Sequence, residues 1–418
     1  MLGEAMEVAP YAQVWKPSLR PVGKWIPLGI AFILVVFAGW AVLPALWDFE
    51  VYYYAAKAYR VGLNPYETAS LAKMAGKGMP LRFVYPPFLL LAFALFTKTT
   101  IVTAKAVYLV CKLCSLAGLL AIWGSLSRNA KETMAIAILF VLGFSATVFA
   151  DVYAGNVTSF EQILFWLGIL AFVKRHLWLC AILLSLSATA KLVPIALLLI
   201  LLVEGRRAIK PILAGLASFA AVQIASYVAF PKLTSSFIAA AGALDEREHS
   251  APSLLALIGD VFQALGQIWQ WTHSRQSSIV LYSFICALLV GLFLWRSWRI
   301  GWNVLRTSGS WFFLSGAILT YLLVLPRLKS YGFYISIPIA GWLLLRAQRG
   351  LAGLGVLAIC TSMFSALPKA VLPKLPFWHV VFEYYALICV LALWCCWFIE
   401  AQRYLPPHAV AEKMPTPV

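Results

Sequence analysis

Long apolar segments separated by short basic links are the feature that most limits what this chain can fold into. Of its 418 residues, 62% are hydrophobic and only 12% are charged, whereas about a quarter of the residues in soluble domains are charged. Inside a bilayer the backbone must satisfy its own hydrogen bonds, so apolar runs of about 20 residues cross it as helices. The sequence therefore predicts an all-α polytopic membrane protein of about 12 transmembrane helices.

Lysine and arginine residues in the links predict the orientation of these helices. Much of the formal net charge of +17 lies there, and short cytoplasmic loops are enriched in such residues. We therefore place both termini in the cytoplasm and read the positive charge as topological, with no nucleic-acid partner. The predicted divisions are a cytoplasmic N-terminus (1–24), an N-terminal membrane module (25–230) with an outer loop (45–102), an outer loop (231–277), C-terminal membrane helices (278–400) and a cytoplasmic tail (401–418).

Cysteine and acidic clusters give no reason to expect a cofactor. All 8 cysteines lie in apolar runs, a position that indicates packing and offers neither a disulfide framework nor zinc-ligand spacing. The run from Asp245 to His249, DEREH, contains metal-ligand residue types, but consecutive charged residues are typical of a solvated loop. We predict no metal and no other cofactor.

The stretch Trp47–Glu67, WDFEVYYYAAKAYRVGLNPYE, is the most polar and most aromatic interruption in the first half of the chain. Its start and stop signals predict a juxtamembrane helix on the outer face, directly after the first span. Asp48 fits two roles there, a helix N-cap or a general base that takes a proton from an acceptor hydroxyl. Tyr52 shares the helix face of Asp48, whereas Glu50 would point away and ranks second as a base.

Four cations at predicted outer positions are candidates for binding a phosphate leaving group, namely Arg82, Lys191, Arg327 and Lys329. Arginine can hold a phosphate with two parallel hydrogen bonds, while lysine acts as a point charge. Anchoring to lipid headgroups is the alternative for each of them. Lys191 interrupts a continuous apolar run, where a charge costs about 2.5–3.5 kcal/mol, so a functional role is favoured. Lys112 lies inside a span as well, with snorkelling to the membrane surface as its alternative.

Further polar residues on the predicted outer face are candidate substrate contacts. We expect Asp151 to begin the second outer loop, where it could act as an acid, bind substrate, cap a helix or be solvated. His379 and Glu383 are four residues apart at the outer start of the last span, so they could contact a sugar or pair with each other.

The polar stretches resemble those of glycosyltransferase family 87, the polyprenol-phosphate-mannose-dependent mannosyltransferases of the GT-C superfamily. The resemblance covers most of the first half of the chain and thins beyond about Val203. In many relatives the outer end of a late span carries histidine, whereas residues 326–334 here read PRLKSYGFY, which leaves the acceptor and the sugar open. The motifs that carry the resemblance are DFEVYYYAA from Asp48, GLNPY from Gly62, FVYPP from Phe83 and, more weakly, Gly155-Asn156 and Lys191 with Pro194.

The resemblance implies a GT-C-type fold and a lipid-phosphate-linked donor, from which a sugar, expected to be mannose, is transferred with inversion. The acceptor would be a glycan or glycolipid at the periplasmic face of the inner membrane, and Asp48 would be the general base. Tyr52, Tyr85 and Asn156 lie in these motifs and are candidate substrate contacts, as are Glu50 and, in the segment 326–334, Tyr331.

A transporter or flippase of lipid-linked sugars is the alternative, because charged residues within spans also mark substrate paths. Transporters often contain matching halves with broken helices, and no such repeat is evident in this sequence. An envelope scaffold would explain the composition but would leave the polar outer cluster without a role. The sequence therefore favours a membrane glycosyltransferase.

Overall fold

The computed structural model describes residues 22–41, 43, 45–191, 193–243, 251–269, 274–307, 310–346, 355, 359–360 and 383–404. The described ranges contain helices and no β-strand, so the all-α prediction is confirmed for them. His379, the 245–249 run and most of the predicted span at 351–367 lie outside these ranges. The predicted domain divisions remain predictions.

The described ranges contain helices of α and 3₁₀ type. The bounds are α1 (Ile26–Ala41), α2 (Trp47–Arg60), α3 (Thr68–Ala75), α4 (Phe88–Ala94), α5 (Ile101–Leu126), α6 (Ala130–Ala154), α7 (Thr158–Val173), α8 (Leu177–Ala190), α9 (Ile209–Ala229), α10 (Pro231–Gly242), α11 (Leu254–Trp269), α12 (Arg275–Ile300), α13 (Trp302–Thr307), α14 (Ser310–Leu323), α15 (Ile337–Arg346) and α16 (Tyr385–Glu400). Segments of 3₁₀ type are Val22–Lys24, Phe96–Lys98, Val193–Ala208, Ser330–Ser336 and Ala401–Tyr404.

Several of these helices have the length and composition of membrane spans. Within the described ranges, Ile101–Leu126, Pro194–Ala229 and Arg275–Ile300 qualify, and α6, bent by 59°, would be a fourth. Seven shorter apolar helices of 10–17 residues accompany them, and at 1.5 Å per residue these fall short of a hydrocarbon core of about 30 Å. The described helices fit a polytopic membrane protein, and the number of 12 spans stays a prediction.

Hydrogen bonds between helix ends bring the basic links together at one end of the bundle, which we call the basic end. Lys24, before α1, donates to the carbonyl of Gly124 at 3.2 Å, near the end of α5. Arg175, after α7, contacts Glu204 and the carbonyl of Arg306. These residues belong to links that the sequence analysis assigned to the cytoplasm.

The predicted outer segments meet at the opposite end, which we call the site end. The Tyr282 hydroxyl, in the first part of α12, donates to the carbonyl of Val324 at 2.6 Å, just after α14. Ser253, before α11, donates to the carbonyl of Pro326 at 2.8 Å. The rings of Tyr59 in α2 and Phe230 after α9 lie 6.0 Å apart. The ends of these helices that are distant from the basic end therefore lie close together at the site end.

A glycine at the end of α6 allows this helix to pack closely against the start of α2. Gly155 has a φ of 72°, a left-handed conformation that glycine adopts without a steric cost. A Cβ at this position would lie 3.2 Å from the Cβ atoms of Leu46 and Phe49. The two backbones therefore approach closely, and Asn156, the next residue, is brought beside the first turn of α2.

A buried ion pair links α5 to α6 near the same junction. Lys112 Nζ lies 2.8 Å from Asp151 Oδ2, and both side chains are fully buried. Lys112 also donates to the backbone carbonyl of Asn156. One expectation is corrected here, because Asp151 lies inside α6 instead of beginning a loop. Lys112 is paired in the interior, so the structure differs from the snorkelling alternative.

We predict that Gly155→Ala destabilises the protein more than Gly62→Ala. Gly62 has a similar φ of 77°, but a Cβ there would meet nothing within 4 Å, so alanine would cost only the left-handed backbone, about 1–2 kcal/mol. At Gly155 the contacts with Leu46 and Phe49 add overpacking, which costs typically about 1–3 kcal/mol. Thermal unfolding in detergent measures both variants, and equal losses of stability would contradict the close approach.

We also predict that Lys112→Met lowers the free energy of unfolding by about 3–5 kcal/mol, because it leaves the Asp151 charge buried and unpaired. The control is Lys77→Met, which breaks the Lys77–Glu50 pair of 2.8 Å with Lys77 56% exposed; exposed pairs contribute about 0–1 kcal/mol. The double variant Lys112→Met/Asp151→Leu should lose less stability than the two single variants together. Additive losses would show that the pair is not coupled.

Candidate functional site

A cleft of about 640 Å³ opens at the site end. It is enclosed by the first turn of α2, the loop before α4, the last turn of α6 and the chain just before and within Ser330–Ser336. Eight residues that the sequence analysis singled out line it together, namely Asp48, Tyr52, Arg82, Tyr85, Asn156, Arg327, Lys329 and Tyr331. The tertiary structure thus gathers residues from distant parts of the chain around one space.

The amide of Asn156 lies at the centre of the polar wall of this cleft. Its Nδ2 is 2.7 Å from Asp48 Oδ2 and 3.0, 3.0 and 3.1 Å from the hydroxyls of Tyr52, Tyr85 and Tyr331. A side-chain amide has two N–H bonds, so at most two of these four oxygens accept from it at one time. The others remain available to further partners, as in the 3.1 Å hydrogen bond from Tyr52 to Tyr85.

The orientation of the Asn156 amide is determined by Thr158. Asn156 Oδ1 accepts from the backbone N–H of Thr158 at 3.2 Å and from its hydroxyl at 2.7 Å. A backbone N–H can only donate, so the amide oxygen must face Thr158. The amide nitrogen therefore faces Asp48.

Asp48 is the second residue of α2, and its carboxylate faces the cleft instead of capping the helix. The residue at the N-cap position is Leu46, so the structure differs from the N-cap interpretation of Asp48. Burial raises the pKa of Asp48 to about 6, aided by the nearby charge of Asp151 and opposed by the Asn156 hydrogen bond and the charges of Lys112 and Lys329. A carboxylate with a pKa near neutrality is suited to exchange protons.

Glu50 lies on another side of α2. It forms ion pairs of 2.8 Å with both Lys77 and Lys105. Burial acts to raise its pKa, but the hydrogen bonds and charges of these two lysines outweigh it, so the pKa of Glu50 is lowered. Of the two carboxylates in the first turn of α2, Asp48 is therefore the one that faces the cleft and has the more basic carboxylate.

A second cavity of about 340 Å³ lies on the other side of a shared wall. The wall residues that face both spaces are Val84, Tyr85, Arg327, Lys329 and Tyr331. The remaining lining is mostly apolar and comes from α8, α10, α14 and the Ser330–Ser336 segment, with a polar group of Thr158, Glu161 and Gln162 in the first turns of α7.

Lys191 faces this second cavity from the end of α8. Its ammonium contacts the Thr158 hydroxyl, lies 3.4 Å from Glu161 Oε2 and is 5.4 Å from the centre of the Tyr331 ring. A lysine inside an apolar run is thus stabilised by a carboxylate, a hydroxyl and an aromatic face.

The four candidate cations are distributed over the two spaces. Arg82 lines the first cleft, Lys191 lines the second cavity, and Arg327 and Lys329 line both. The Nη1 atom of Arg327 is buried and has no hydrogen-bond partner among the described residues. A buried, unpaired guanidinium nitrogen favours the binding of an anion at the shared wall.

Three site residues, Thr158, Glu161 and Gln162, were missed by the sequence analysis. All are buried, and the signal that could have found them is a polar start, NVTSFEQ, to an otherwise apolar helix at residues 156–162. Glu383 directly precedes Tyr384, whose hydroxyl donates to Asp260 at 2.6 Å, and its role as a substrate contact stays a prediction. Among the described residues, no three His, Cys, Asp or Glu side chains converge as metal ligands would.

Comparison with known proteins identifies the family. The model of glycosyltransferase family 87 matches residues 83–326, a range that contains Tyr85, Asn156, Thr158 and Lys191 and extends well beyond Val203. The helix α2, with Asp48, precedes this range. A search of curated proteins gave no match. Because the family model matches more than half of the chain, and because several of its helices are apolar, the chain belongs to glycosyltransferase family 87 and is an integral membrane glycosyltransferase.

Proposed function

We propose that this enzyme transfers a sugar, with mannose as the expected sugar, from a polyprenyl-phosphate donor to a hydroxyl of a glycan or glycolipid. The observation that carries the proposal is the position of Asp48, a carboxylate with a raised pKa in a cleft whose lining contains three cations. A base for the acceptor and cations for a phosphate are the two requirements of such a transfer.

In the proposed reaction, Asp48 takes the proton of the acceptor hydroxyl while the hydroxyl oxygen attacks the anomeric carbon of the sugar. The bond from that carbon to the phosphate oxygen breaks on the opposite face, so the configuration inverts. The electron pair of this bond stays on the phosphate, which leaves as an anion. A phosphate is a stable leaving group, so one carboxylate in the cleft is sufficient and no general acid is required.

Negative charge grows on the leaving phosphate, and fixed cations stabilise such charge most when water is excluded. Arg327 and Lys329 lie in the wall between the two cavities, so a phosphate held there would have its sugar beside the first cleft. The mostly apolar lining of the second cavity is suited to the isoprenoid part of a lipid donor. Arg82 and Lys191 would add positive charge on the two sides.

We propose that the site end faces the periplasm from the inner membrane. The support is the segregation of Lys24, Arg175 and Arg306 to the opposite end of the bundle. Basic links of this kind remain in the cytoplasm, and the site end would then be exposed on the other side.

Asp48→Asn should lower the transfer rate by about 10²–10⁴-fold, because an amide cannot accept the acceptor proton. The assay supplies radiolabelled polyprenyl-phosphate-mannose and total envelope lipid to the purified protein in detergent, and follows the label into new products. Glu50→Gln is the matched control, since it makes the same chemical change two residues away on a side chain paired with Lys77 and Lys105. Full activity in Asp48→Asn would refute the base assignment, and equal losses would leave the two carboxylates undistinguished.

The pH profile of kcat/KM should rise with a midpoint near 6, the pKa of Asp48, because only the deprotonated carboxylate acts as a base. Asn156→Ala removes the hydrogen bond that lowers this pKa, so the rise should move to higher pH. A profile that keeps its midpoint in Asn156→Ala, or moves it to lower pH, would contradict the proposed tuning of the base.

A further inference from the structure

A continuous chain of polar contacts connects the two cavities. Lys191 donates to the hydroxyl of Thr158, and this hydroxyl donates to Asn156 Oδ1 at 2.7 Å. The amide nitrogen of Asn156 donates to Asp48 Oδ2 at 2.7 Å. The chain begins at a cation in the second cavity and ends at a carboxylate in the first cleft.

All donors in this chain point the same way. A hydroxyl that accepts a hydrogen bond from an ammonium group becomes a better donor. The amide that accepts a hydrogen bond from this hydroxyl is polarised in turn, so such bonds strengthen one another. The intermediate links, Thr158 and Asn156, are each about 1% exposed, so water is excluded between the partly exposed Lys191 and Asp48. The aligned hydrogen bonds therefore extend the effect of the positive charge of Lys191 to the carboxylate of Asp48.

We propose that Thr158 is a positioning residue that couples Lys191, the cation of the second cavity, to the carboxylate of Asp48 in the first cleft. This inference rests on the proposed role of Asp48 as the base. The hydroxyl of Thr158 is the only link in the chain that both accepts and donates through the same atom. Its removal interrupts the chain, while the backbone N–H of Thr158 continues to orient Asn156.

The coupling makes the base respond to what occupies the second cavity. An anion bound at Lys191 draws the ammonium away from Thr158 and weakens its donation to the hydroxyl. Asn156 is then less polarised, the negative charge of Asp48 is less stabilised, and the carboxylate becomes more basic. The phosphate of the proposed donor would thereby make Asp48 more basic only while the donor is bound.

Other charged groups also act on Asp48 and must be separated from this chain. Asp151 in α6, Lys112 in α5 and Lys329 before the Ser330–Ser336 segment contribute through their charges, and the hydroxyls of Tyr52, Tyr85 and Tyr331 surround the same amide nitrogen. Glu161 competes for Lys191 at 3.4 Å. Because all of these stay in place in variants of Thr158, a double-mutant cycle isolates the contribution of the chain.

The test measures the protonation of Asp48 directly, by infrared titration of the full-length protein in detergent. The carboxyl band that is lost in Asp48→Asn identifies the residue. The cycle compares wild type, Lys191→Met, Thr158→Val and the double variant. With Thr158 intact, Lys191→Met should raise the midpoint of the Asp48 titration by about half a pKa unit or more, because the cation at the start of the hydrogen-bond chain is lost. In the Thr158→Val background, Lys191→Met should shift the midpoint of the Asp48 titration by less than half as much.

Thr158→Ser is the matched control, since it keeps the hydroxyl and should restore the full response to Lys191→Met. An equal response with and without the Thr158 hydroxyl would overturn the proposal, because the coupling would then act through space. The absence of any response to Lys191→Met would overturn it as well. If Thr158→Val does not fold, Thr158→Ala completes the same cycle, since it also lacks the hydroxyl and retains the backbone N–H.

The titration requires no turnover, so it is independent of the proposed reaction. A non-additive cycle together with no sugar transfer by wild type would refute the proposed function and support the coupling. Normal transfer together with an additive cycle would refute the coupling and leave the function supported. For an active enzyme, Thr158→Val should also shift the pH profile of kcat/KM upward and Thr158→Ser should not, a difference that a purely structural role would not produce.

Discussion

The ion pair between Lys112 and Asp151 is the interaction on which the polar site depends. Both side chains are fully buried, and Lys112 Nζ lies 2.8 Å from Asp151 Oδ2. Two charges in a medium of low polarity are tolerated only when they are paired and hydrogen-bonded. Lys112 also binds the carbonyl of Asn156, so the same ammonium that neutralises Asp151 holds the backbone of the central amide. The end of α6 and the start of α7 are thereby fastened to α5, and the site is built on that rigid junction.

The two kinds of group that the proposed transfer requires come from different parts of the chain. The carboxylate comes from α2, near the N-terminus, whereas Arg327 and Lys329 come from the segment after α14. Asn156 lies between them and contacts Asp48, Tyr85 and Tyr331. In the proposed reaction, Asp48 in the first cleft and the cations Arg327 and Lys329 in the shared wall would let an acceptor and an anionic donor occupy adjacent spaces. The proposed coupling through Thr158 would connect those spaces electrostatically.

Much of the site could be predicted because its residues break an otherwise apolar pattern. The spacing of Asp48 and Tyr52 predicts that they share one helix face, and both line the cleft. Glu50 was expected to point elsewhere, and it pairs with Lys77 and Lys105. Lys191 was singled out as a charge inside an apolar run, and it faces the second cavity. Helical periodicity and the cost of charge in lipid act over short stretches, which is why they can be read from sequence.

The sequence by itself determined that the chain is helical, that its apolar runs alternate with basic links, and that polar residues collect at the segments between them. Only the tertiary structure decided that Lys112 pairs with Asp151, that Leu46 occupies the N-cap position ahead of Asp48, and that Thr158 joins Lys191 to Asn156. The physical reason is distance along the chain. Hydropathy and helix propensity depend on near neighbours, whereas the contacts of Lys112 with Asp151 and of Lys191 with Thr158 join residues 39 and 33 positions apart. The backbone N–H of Leu46 likewise donates to the carbonyl of Tyr153 in α6, so all these partners are selected by how the helices pack.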